Sequence, residues 1–466
     1  MLNSRKFQTE VAMLHLPRKM KKVLLIISLI VLIVGMKILY NAIIDSPVIL
    51  LPSDVSVRDY KKRSLEYCNP LHHINSGQEG EFDDEYSLEL VHVLIRHGAR
   101  TSMHSLPGIQ VPPISCKAGD KRLNISEVLR KVKDTWKQKY RVFGFDGWDM
   151  YPNKTLCKGS ELTPFGMQQH IQTGQYLRHK YGKSIDLTQS HIRSTSVART
   201  YQSAVAVLLG MLPHTDLENA RIYKSGQLSL CSPSLFRQSC ECPGADHLLN
   251  LATRKSGQNE RQDGNIKRKV LENEFGGKFL TNYILDVFMT YSCHNISLPC
   301  IHSAKCINHS HLDLAWAVQD EIGKTMVLEN EFYIKYAHLY VHPLLSEIAD
   351  RMLNLTKKRR VEPFVLYSGH DITVTPLATV FGIHNGKWPP FASRIVIELH
   401  KKVGLKINYF IKVIYNGKDV TPVVSFCKHK LFNEFCKLKY FVDFVNNHLQ
   451  DIGFKSYEQG CQKNNS

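Results

Sequence analysis

The longest apolar stretch of the chain lies near its N-terminus, at residues 23–44. Although Lys37 interrupts it, the stretch is about as long as the roughly 20 residues that a helix needs to cross a bilayer, and a lysine can extend its ammonium group toward the headgroups. Four basic residues within 18–22 directly precede it. Because basic flanks stay cytosolic, we predict a cytosolic tail (1–22), an uncleaved signal anchor and a lumenal remainder. The alternative is a cleaved signal peptide, but no small-x-small cleavage site follows.

Beyond this segment, apolar runs with strand character alternate with stretches that carry one apolar face at helical spacing. Residues 45–86 come first; they mix Pro, Ser and charged residues without strong periodicity and are predicted to form a stem. Alternating strands and helices predict an α/β fold for residues 87–466. The predicted strands cover 88–95, 361–367, 394–399 and 407–415, and the predicted helices cover 163–181, 197–212 and the residues from 375 onward.

Individual residues mark the ends of several of these elements. Thr163 is the candidate N-cap of the first helix, and Ser194 or Thr195 that of the second. The pair Asn416-Gly417 predicts a hairpin after the last of these strands, leading into a further strand at 418–424. These residues predict where two helices begin and where a turn joins two strands.

Residues 231–355 differ from their surroundings. They are richer in cysteine, more polar and contain helical patterns such as 331–352. Pro343 lies inside that pattern, and because proline lacks the N–H of a helix interior we expect it to split or kink the helix. We interpret the region as an inserted, α-rich cap subdomain.

Twelve cysteines all lie beyond the N-terminal apolar segment. Their even number and one-sided placement are typical of disulfides in an oxidising compartment. No CxxC pair occurs, and Cys240-Glu241-Cys242 is too tight for a usual zinc half-site, so we predict disulfides of open connectivity and no metal. Five internal sequons, predicted glycosylation sites, indicate the same lumenal location: Asn124, Asn153, Asn295, Asn308 and Asn354.

The chain is strongly basic, with 60 Lys and Arg residues against 42 Asp and Glu and a net charge of +18. Such an excess favours polyanionic partners. A lumenal location excludes nucleic acid and leaves acidic glycans or anionic membrane. The basic runs at 267–269 and 357–360 would suit an acidic proteoglycan, although a solvated surface explains either run alone.

The first chemical motif follows the first predicted strand directly, as Arg96-His97-Gly98-Ala99-Arg100. In α/β sheets ligands sit beyond the carboxyl ends of strands. Guanidiniums match phosphate oxygens, and an imidazole held among them tends to stay neutral and nucleophilic. Taken alone, the motif is better explained as a basic surface turn. Its interpretation as a phosphate site therefore depends on the other motifs of the chain.

Two other segments of the chain carry groups that complement the Arg96–Arg100 motif. His370 and Asp371 follow the strand at 361–367. His370 can hold a phosphoryl group and Asp371 can protonate a leaving oxygen, although Asp is also a common helix N-cap. Arg193 opens the segment 193–200 before a helix whose N-terminus attracts anions, and we expect it to bind the same phosphate rather than face solvent.

Together, the three motifs resemble those of the histidine acid phosphatases, the two-motif branch of the histidine phosphatase superfamily. The family signature places RHGxRxP near the first strand, RSTxxxRT in the middle and HD late; here these are 96–102, 193–200 and 370–371. The resemblance covers roughly 88–427. It implies a phosphoglycerate-mutase-like mixed sheet flanked by helices, with an α-rich cap over the site.

The resemblance also implies a phosphoryl transfer in two steps, without metal or other cofactor. His97 would attack phosphorus to form a phosphohistidine, and Asp371 would protonate the departing alcohol before water releases phosphate. Arg96, Arg100, Arg193 and His370 would neutralise the oxygens of the transferring group.

A closer resemblance within the family rests on the anchor and on the segments 240–243, 293–300 and 415–421. These are similar to Golgi enzymes that remove the 2-phosphate from xylose in the glycosaminoglycan–protein linkage region. The resemblance predicts a single-pass type II protein of the Golgi membrane that acts on a phosphorylated glycan or proteoglycan.

Two other functions stay open at this point: a broad-specificity acid phosphatase of the lysosome or cell surface, and an inactive glycan-binding module. The inactive module predicts loss of a catalytic residue, yet the set around His97 is complete. Ser102, Ser196 and Ala198 depart from the family pattern, but they are not catalytic positions, so activity is expected with altered substrate contacts.

Overall fold

The computed structural model describes residues 56–466 of the chain with several internal gaps. The predicted cytosolic tail and signal anchor lie outside the described residues, as do Asn124 and Asn153. Among the helices of the described part, none has the length and apolarity needed to cross a membrane. The gaps are 110–111, 118–144, 146, 153, 214–219, 227–228, 232–239, 259–261, 276–280, 302–304, 403–406, 433–434 and 463–466.

In the described part, nine strands form one mixed sheet and two short strands form a separate ribbon. The long runs of apolar and β-branched residues that predicted strands form its centre. In chain order the strands are β1 (Tyr86–Arg96), β2 (Ser190–Ser194), β3 (Ile222–Lys224), β4 (Cys300–Ile301), β5 (Lys305–Cys306), β6 (Phe364–Gly369), β7 (Arg394–Lys402), β8 (Asn408–Tyr415), β9 (Lys418–Asp419), β10 (Leu431–Phe432) and β11 (Phe435–Lys437).

The order of the strands brings the predicted motifs together. The sheet runs β10-β11-β8-β7-β1-β6-β2-β3, and β9 pairs with β8. β1, β6, β2 and β3 are parallel, whereas β7 is antiparallel to β1. Arg96 lies opposite Gly369, and Ser194 lies opposite Ser368. The carboxyl ends of β1, β6 and β2, which precede the three motifs, therefore meet at one edge.

Helices of the described part flank the sheet and fill the region between β3 and β6. They are α1 (Ser56–Cys68), α2 (Leu71–Ile74), α3 (Pro164–Tyr181), α4 (Ala198–Met211), α5 (Pro243–Gln258), α6 (Gln262–Phe275), α7 (Thr281–Cys293), α8 (His309–Ile322), α9 (Glu331–Thr356), α10 (Asp371–Val380), α11 (Leu438–Asn447) and α12 (Tyr457–Cys461). A π-helical turn, Gly323–Leu328, joins α8 to α9.

The predicted cap of α3 is confirmed, and that of α4 is wrong. The Thr163 side chain accepts from the Gly166 N–H, as expected. Val197 is the N-cap residue of α4 and makes no side-chain cap. The Thr195 hydroxyl instead contacts Thr200 and His370. Because it makes these contacts, the side chain does not cap the helix as the local pattern predicted.

Of the two predicted effects of Pro343, a split or a kink, the split is wrong. The helix runs from Glu331 to Thr356 with the proline buried inside it. Leu339, Leu344 and Leu345 bury the same helix in the core against the sheet. Such packing offsets the hydrogen bond that proline removes, since the packing of a helix decides its stability more than propensity does.

The predicted hairpin at Asn416-Gly417 is confirmed, with φ of 48° and 83° at the two turn residues. Both lie in the left-handed region that a type I′ turn requires. The strand after it is shorter than predicted, because the chain turns into a 3₁₀-helix at Thr421–Val423. Pro422, which lacks the N–H that a strand ladder needs, explains the early end.

The second half of the predicted stem is part of the folded domain. Instead of irregular chain, it contains α1 and α2. Tyr67 is fully buried and Cys68 forms a disulfide with Cys293 at the end of α7. A covalent tie to a segment 225 residues away fixes α1 in place, which no local pattern in 45–86 could indicate.

The region 231–355 is α-rich, as expected, but its helices belong to two cores. α5 and α9 pack in the same apolar cluster as one face of the sheet. α7 and α8 form a second cluster with Tyr67 and Phe391. The second cluster borders the edge of the sheet where the motifs meet.

All twelve cysteines are paired, which confirms the disulfide prediction. Two of the six bonds span more than 200 residues; one ties α1 to α7 and the other ties Cys242, directly before α5, to the C-terminal α12. Such cross-links constrain the unfolded chain most when the closed loop is long. The pairs are Cys68–Cys293, Cys116–Cys157, Cys231–Cys240, Cys242–Cys461, Cys300–Cys306 and Cys427–Cys436.

Candidate active site

His97 lies at the carboxyl end of β1, directly beyond the centre of the sheet. Its backbone N–H donates to Gly369 O (2.9 Å), and its own carbonyl accepts from Ala392 N (3.1 Å). The residue is 1% exposed. The backbone is thereby fixed between the end of β6 and the segment before β7, and the imidazole has a defined place.

The hydrogen bonds of His97 determine which nitrogen can react. Nδ1 is 2.8 Å from the carbonyl oxygen of Gly98. A carbonyl only accepts, so Nδ1 carries the proton and donates. In the neutral ring, Nε2 then holds the free lone pair. The geometry presents Nε2 as a nucleophile.

Three guanidiniums surround this imidazole. Burial lowers the pKa of His97 well below its ordinary value, and the positive charges of Arg199, Arg96 and Arg100 lower it further. The ring stays neutral through mildly acidic pH, as a nucleophile requires. The predicted positions of Arg96 and Arg100 beside His97 are therefore observed.

The three arginines share a further property. The Nε atom of each is buried and has no hydrogen-bond partner among the described residues. Burial lowers the pKa of Arg199 to about 10, with Arg100 and Arg96 adding to the effect. Like charges crowded together with unused donors are costly unless an anion joins them. The cluster is built for an oxyanion with several oxygens.

Arg96 is held by the residues beneath it. Its Nη2 donates to the Tyr67 hydroxyl (3.2 Å) and lies 3.4 Å from Asp371 Oδ2, and its Nη1 donates to Pro389 O. The guanidinium also stacks 4.6 Å from the ring of Phe391. Such cation–π contacts and hydrogen bonds leave the arginine little freedom.

Arg100 is held from the cap side of the site. Its Nη1 donates to Asp286 Oδ1 on α7 (2.7 Å), and both side chains are nearly buried. The other carboxylate oxygen of Asp286 accepts from the N–H groups of Met103 (2.6 Å) and His104 (3.2 Å). One carboxylate therefore joins α7 to the catalytic loop after β1.

Asp371, the predicted proton donor, opens α10 at the end of β6. Its Oδ2 accepts from Trp388 Nε1 at 2.5 Å. Burial acts to raise its pKa, but Arg96 and the Trp388 hydrogen bond outweigh it and hold the pKa at about 2. About a quarter of the side chain is exposed, so the carboxylate can meet a ligand.

The structure does not bring Arg193 into this group. Arg193 lies in β2, its Nη2 is 2.5 Å from Glu347 Oε1 on α9 and its Nη1 donates to Leu230 O (2.9 Å). The pair is buried on the face of the sheet that α9 covers. Arg199, in the first turn of α4, stands where Arg193 was expected.

His370 lies beside Arg199 and faces the His97 ring at a centroid distance of 5.6 Å. Its Nδ1 is 3.4 Å from Arg199 Nη2, and its Nε2 is 2.9 Å from Thr195 Oγ1. Because a guanidinium only donates, Nδ1 is the acceptor and the Nε2 proton points to Thr195. To bind a phosphate oxygen through Nδ1, His370 must carry a proton there.

Gly98 permits the close packing behind the site. A Cβ placed on Gly98 would lie 2.2 Å from the carbonyl oxygen of Gly166 in α3. Any side chain would therefore push α3 away from the catalytic loop. The loop is also anchored by the Gln169 side chain, which accepts from Ala99 N (2.8 Å).

Four residues of this site were not predicted from the sequence: Tyr67, Arg199, Asp286 and Trp388. Arg199 lies in the same segment as Arg193, and only its place on a helix rather than a strand separates them. Among the described residues, no group of three or more His, Cys, Asp or Glu side chains is arranged to hold a metal ion.

Comparison with known proteins agrees with this geometry. The family model described as "Histidine phosphatase superfamily (branch 2)" matches residues 87–295 and 306–416. The protein named 2-phosphoxylose phosphatase 1 from Xenopus tropicalis is 30% identical over 85% of this chain and 82% of its own. Its human namesake is 30% identical over 85% of each chain. Counting factor 60 of Dictyostelium discoideum is 24% identical over 72% of this chain and 82% of its own.

Two solved phytase structures share the fold. That from Citrobacter braakii has a TM-score of 0.51 at 14% identity, covering 80% of this chain and 99% of the phytase. That from Hafnia alvei has a TM-score of 0.50 at 12% identity, covering 82% and 100%. At these identities the likeness shows the fold alone. The predicted α/β class, a mixed sheet flanked by helices, is confirmed.

Proposed function

The chain belongs to branch 2 of the histidine phosphatase superfamily and is a phosphoric monoester hydrolase, and we propose that it works through a phosphohistidine on His97. The observation that carries this proposal is the neutral imidazole with a free Nε2 among three buried guanidiniums that have unused donors. Arg96, Arg100 and Arg199 hold the phosphate, with Arg199 in the role first given to Arg193.

In the first step, His97 Nε2 attacks phosphorus as the bond to the substrate oxygen breaks. The guanidiniums stabilise the charge that spreads over the other phosphate oxygens, the dominant contribution in phosphoryl transfer. Asp371 passes a proton to the leaving alcohol. Since Asp371 is ionised in the free site, the proton arrives with the substrate, whose second phosphate pKa is near 6.

In the second step, water attacks the phosphohistidine from the side that the alcohol has left. Asp371, now a carboxylate again, accepts a proton from that water and gives it up to the departing phosphate. Inorganic phosphate departs and His97 returns to its neutral form. The hydrogen bond from Nδ1 to Gly98 O keeps the ring in one orientation through both steps.

As substrate we propose xylose 2-phosphate in the glycosaminoglycan–protein linkage region. The support is the name of the relatives that match over more than four-fifths of the chain, 2-phosphoxylose phosphatase 1. The basic character of the chain suits a substrate that becomes part of an acidic proteoglycan.

We also propose that the protein is a single-pass type II protein of the Golgi membrane, with its catalytic domain in the lumen. Six disulfides support an oxidising compartment. Asn295 and Asn308 are exposed and Asn354 is half-buried, so these three sequons are open to glycosylation. The apolar segment 23–44 would be the anchor.

The test compares phosphate release from two substrates by the expressed full chain. One is a glycopeptide that carries xylose 2-phosphate, the other a simple aryl phosphate, and His97→Ala is the control. We expect a kcat/KM at least tenfold higher for the glycopeptide, abolished in the variant. Equal turnover of both substrates would instead identify a broad-specificity phosphatase, and no release by a folded, glycosylated chain would contradict the proposal.

A further inference from the structure

A cavity of about 290 Å³ is lined by Arg199 but by none of the other residues proposed to act on the phosphoryl group. Its walls include residues of the segment 147–152, residues 160–162, Val197 and the start of α4. The aromatic, charged and amide residues of its lining are Trp148, Asp149, Tyr151, Lys154, Glu161, Arg199 and Gln202. Two aromatic residues, two carboxylates and two cations therefore line one space.

The cavity wall is held in place by contacts behind it. The Trp148 ring packs edge-on against Phe145 at 5.1 Å and Tyr201 at 6.2 Å. Gln202 on α4 donates to the carbonyl of Asp149 at 3.1 Å. These contacts fix the loop against the helix, so the space between them is part of the fold.

Arg199 connects the cavity to the phosphate site. Its Nη2 lies 3.4 Å from His370 Nδ1 on one side, and the same side chain lines the cavity on the other. The residue is 91% buried and its Nε has no partner among the described residues. Arg199 therefore borders both the phosphate site and the cavity.

The lining selects for a particular chemistry. Aromatic faces pack against the C–H faces of a pyranose ring, while carboxylate and amide oxygens accept hydrogen bonds from hydroxyl groups. Asp149 and Glu161 are balanced by Lys154 and Arg199, so the lining carries no net charge, and Glu161 is held by hydrogen bonds from Lys154 and from Lys158 N. The lining thus suits an uncharged, hydroxyl-rich ring.

We propose that this cavity is a subsite for the neutral sugar linked to the phosphorylated residue, with Tyr151 and Trp148 as the residues that recognise it. The inference rests on the proposed function and deepens it. It explains how one phosphate site distinguishes a glycan from a simple phosphate ester: binding energy from the second sugar is available only to the extended substrate.

The test uses the full chain and a matched pair of substrates, a methyl xyloside 2-phosphate and the same sugar extended by one neutral hexose. In the wild type we expect the extension to lower KM about tenfold, the effect of roughly 1.4 kcal/mol of added binding. Tyr151→Ala should remove that advantage while leaving turnover of the short substrate unchanged. Tyr151→Phe, which keeps the ring, should retain most of it.

The control is Tyr440→Ala, a half-buried tyrosine of α11 that lies outside the cavity. It should leave both KM values unchanged. Tyr151 is preferred to Trp148 as the main test because the Trp148 ring supports Phe145 and Tyr201. An advantage that persists in Tyr151→Ala, or an equal loss on both substrates, would overturn the subsite.

A binding measurement separates this inference from the proposed function. If the wild type hydrolyses neither xyloside phosphate, the proposed substrate is wrong whatever the cavity does. Saturation-transfer NMR with the unphosphorylated hexose–xyloside then measures sugar binding without any hydrolysis. A signal in the wild type that Tyr151→Ala abolishes supports the subsite, and no signal in the wild type contradicts it.

Discussion

At the scale of single residues, Asp371 and its neighbours show how the site controls a proton. Trp388 Nε1 and Arg96 both approach Asp371 Oδ2, at 2.5 and 3.4 Å. These contacts hold one oxygen in place and keep the pKa low. The indole therefore acts as a positioning residue for the proposed general acid.

Replacing Trp388 tests that role. Trp388→Phe removes a hydrogen bond to a charged group worth about 1.5 kcal/mol or more, so we expect kcat to fall about tenfold. The pKa of Asp371 should rise. A proton-donor defect costs more when the leaving group is poor, so the loss should be larger for an alkyl phosphate than for p-nitrophenyl phosphate. Equal losses on both esters would indicate a purely structural effect.

The two arginines of the segment 193–200 give a second residue-level test. Arg199→Ala removes a guanidinium from the phosphate cluster and should lower kcat/KM by about 10²–10³-fold with little effect on melting temperature. Arg193→Ala removes one of the two guanidiniums that contact the Glu347 carboxylate of α9, and Arg351 is the one that remains. It should destabilise the fold by about 3 kcal/mol and leave the kinetics of folded protein near those of the wild type. If Arg193→Ala lowered kcat/KM and Arg199→Ala lowered only the stability, Arg193 rather than Arg199 would be the phosphate-binding residue.

At the scale of elements, the sequence predicted β1 and β6, the strands that lead into two of the three motifs, and missed what other elements bring to their ends. β1, β2 and β6 are parallel, so motifs that follow them must share an edge. The sequence could not show which of Arg193 and Arg199 binds the phosphate. Arg193 lies in a strand and Arg199 in a helix, and the two kinds of element orient neighbouring side chains differently. Tyr67 and Asp286 arrive on α1 and α7 through long-range packing that no local pattern encodes.

α3 packs closely against the catalytic loop at Gly98. Gly98→Ala would place a methyl group 2.2 Å from Gly166 O, so the helix or the loop must shift. We expect a loss of about 3 kcal/mol in stability and loss of aryl phosphatase activity. Gly159→Ala, whose nearest neighbour would be at 3.3 Å, is the milder control. A Gly98→Ala protein with full activity would contradict the packing.

At the scale of the whole molecule, disulfides and buried histidines set the conditions under which the fold persists. His448 is buried, and its ring nitrogens contact His338 and His342 at 2.8 and 2.9 Å. Burial, with repulsion from the other two rings, lowers the pKa of His448 to about 2, and burial lowers those of His338 and His342 to about 4. In the described part, every histidine with a shifted pKa is shifted downward.

These shifts predict loss of stability in acid. The unfolded chain binds more protons than the fold, so stability is fully present above about pH 6.5 and decreases as pH falls toward the folded pKa values. Between pH 6.5 and its folded pKa, a fully buried histidine such as His448 costs about 1.4 kcal/mol per pH unit. The melting temperature should therefore drop clearly between pH 7 and pH 5, and less in His448→Gln. An unchanged or higher value at pH 5 would contradict this account and would favour the lysosomal alternative.

The central claim is that His97 carries the phosphoryl group between the two steps. The most direct measurement is rapid quenching of the full chain with a ³²P-labelled aryl phosphate into alkali, which preserves phosphohistidine, followed by peptide mapping. We predict acid-labile label on the peptide that contains His97, and none in His97→Ala. Label elsewhere, label that persists in His97→Ala, or turnover without any covalent label would contradict the account.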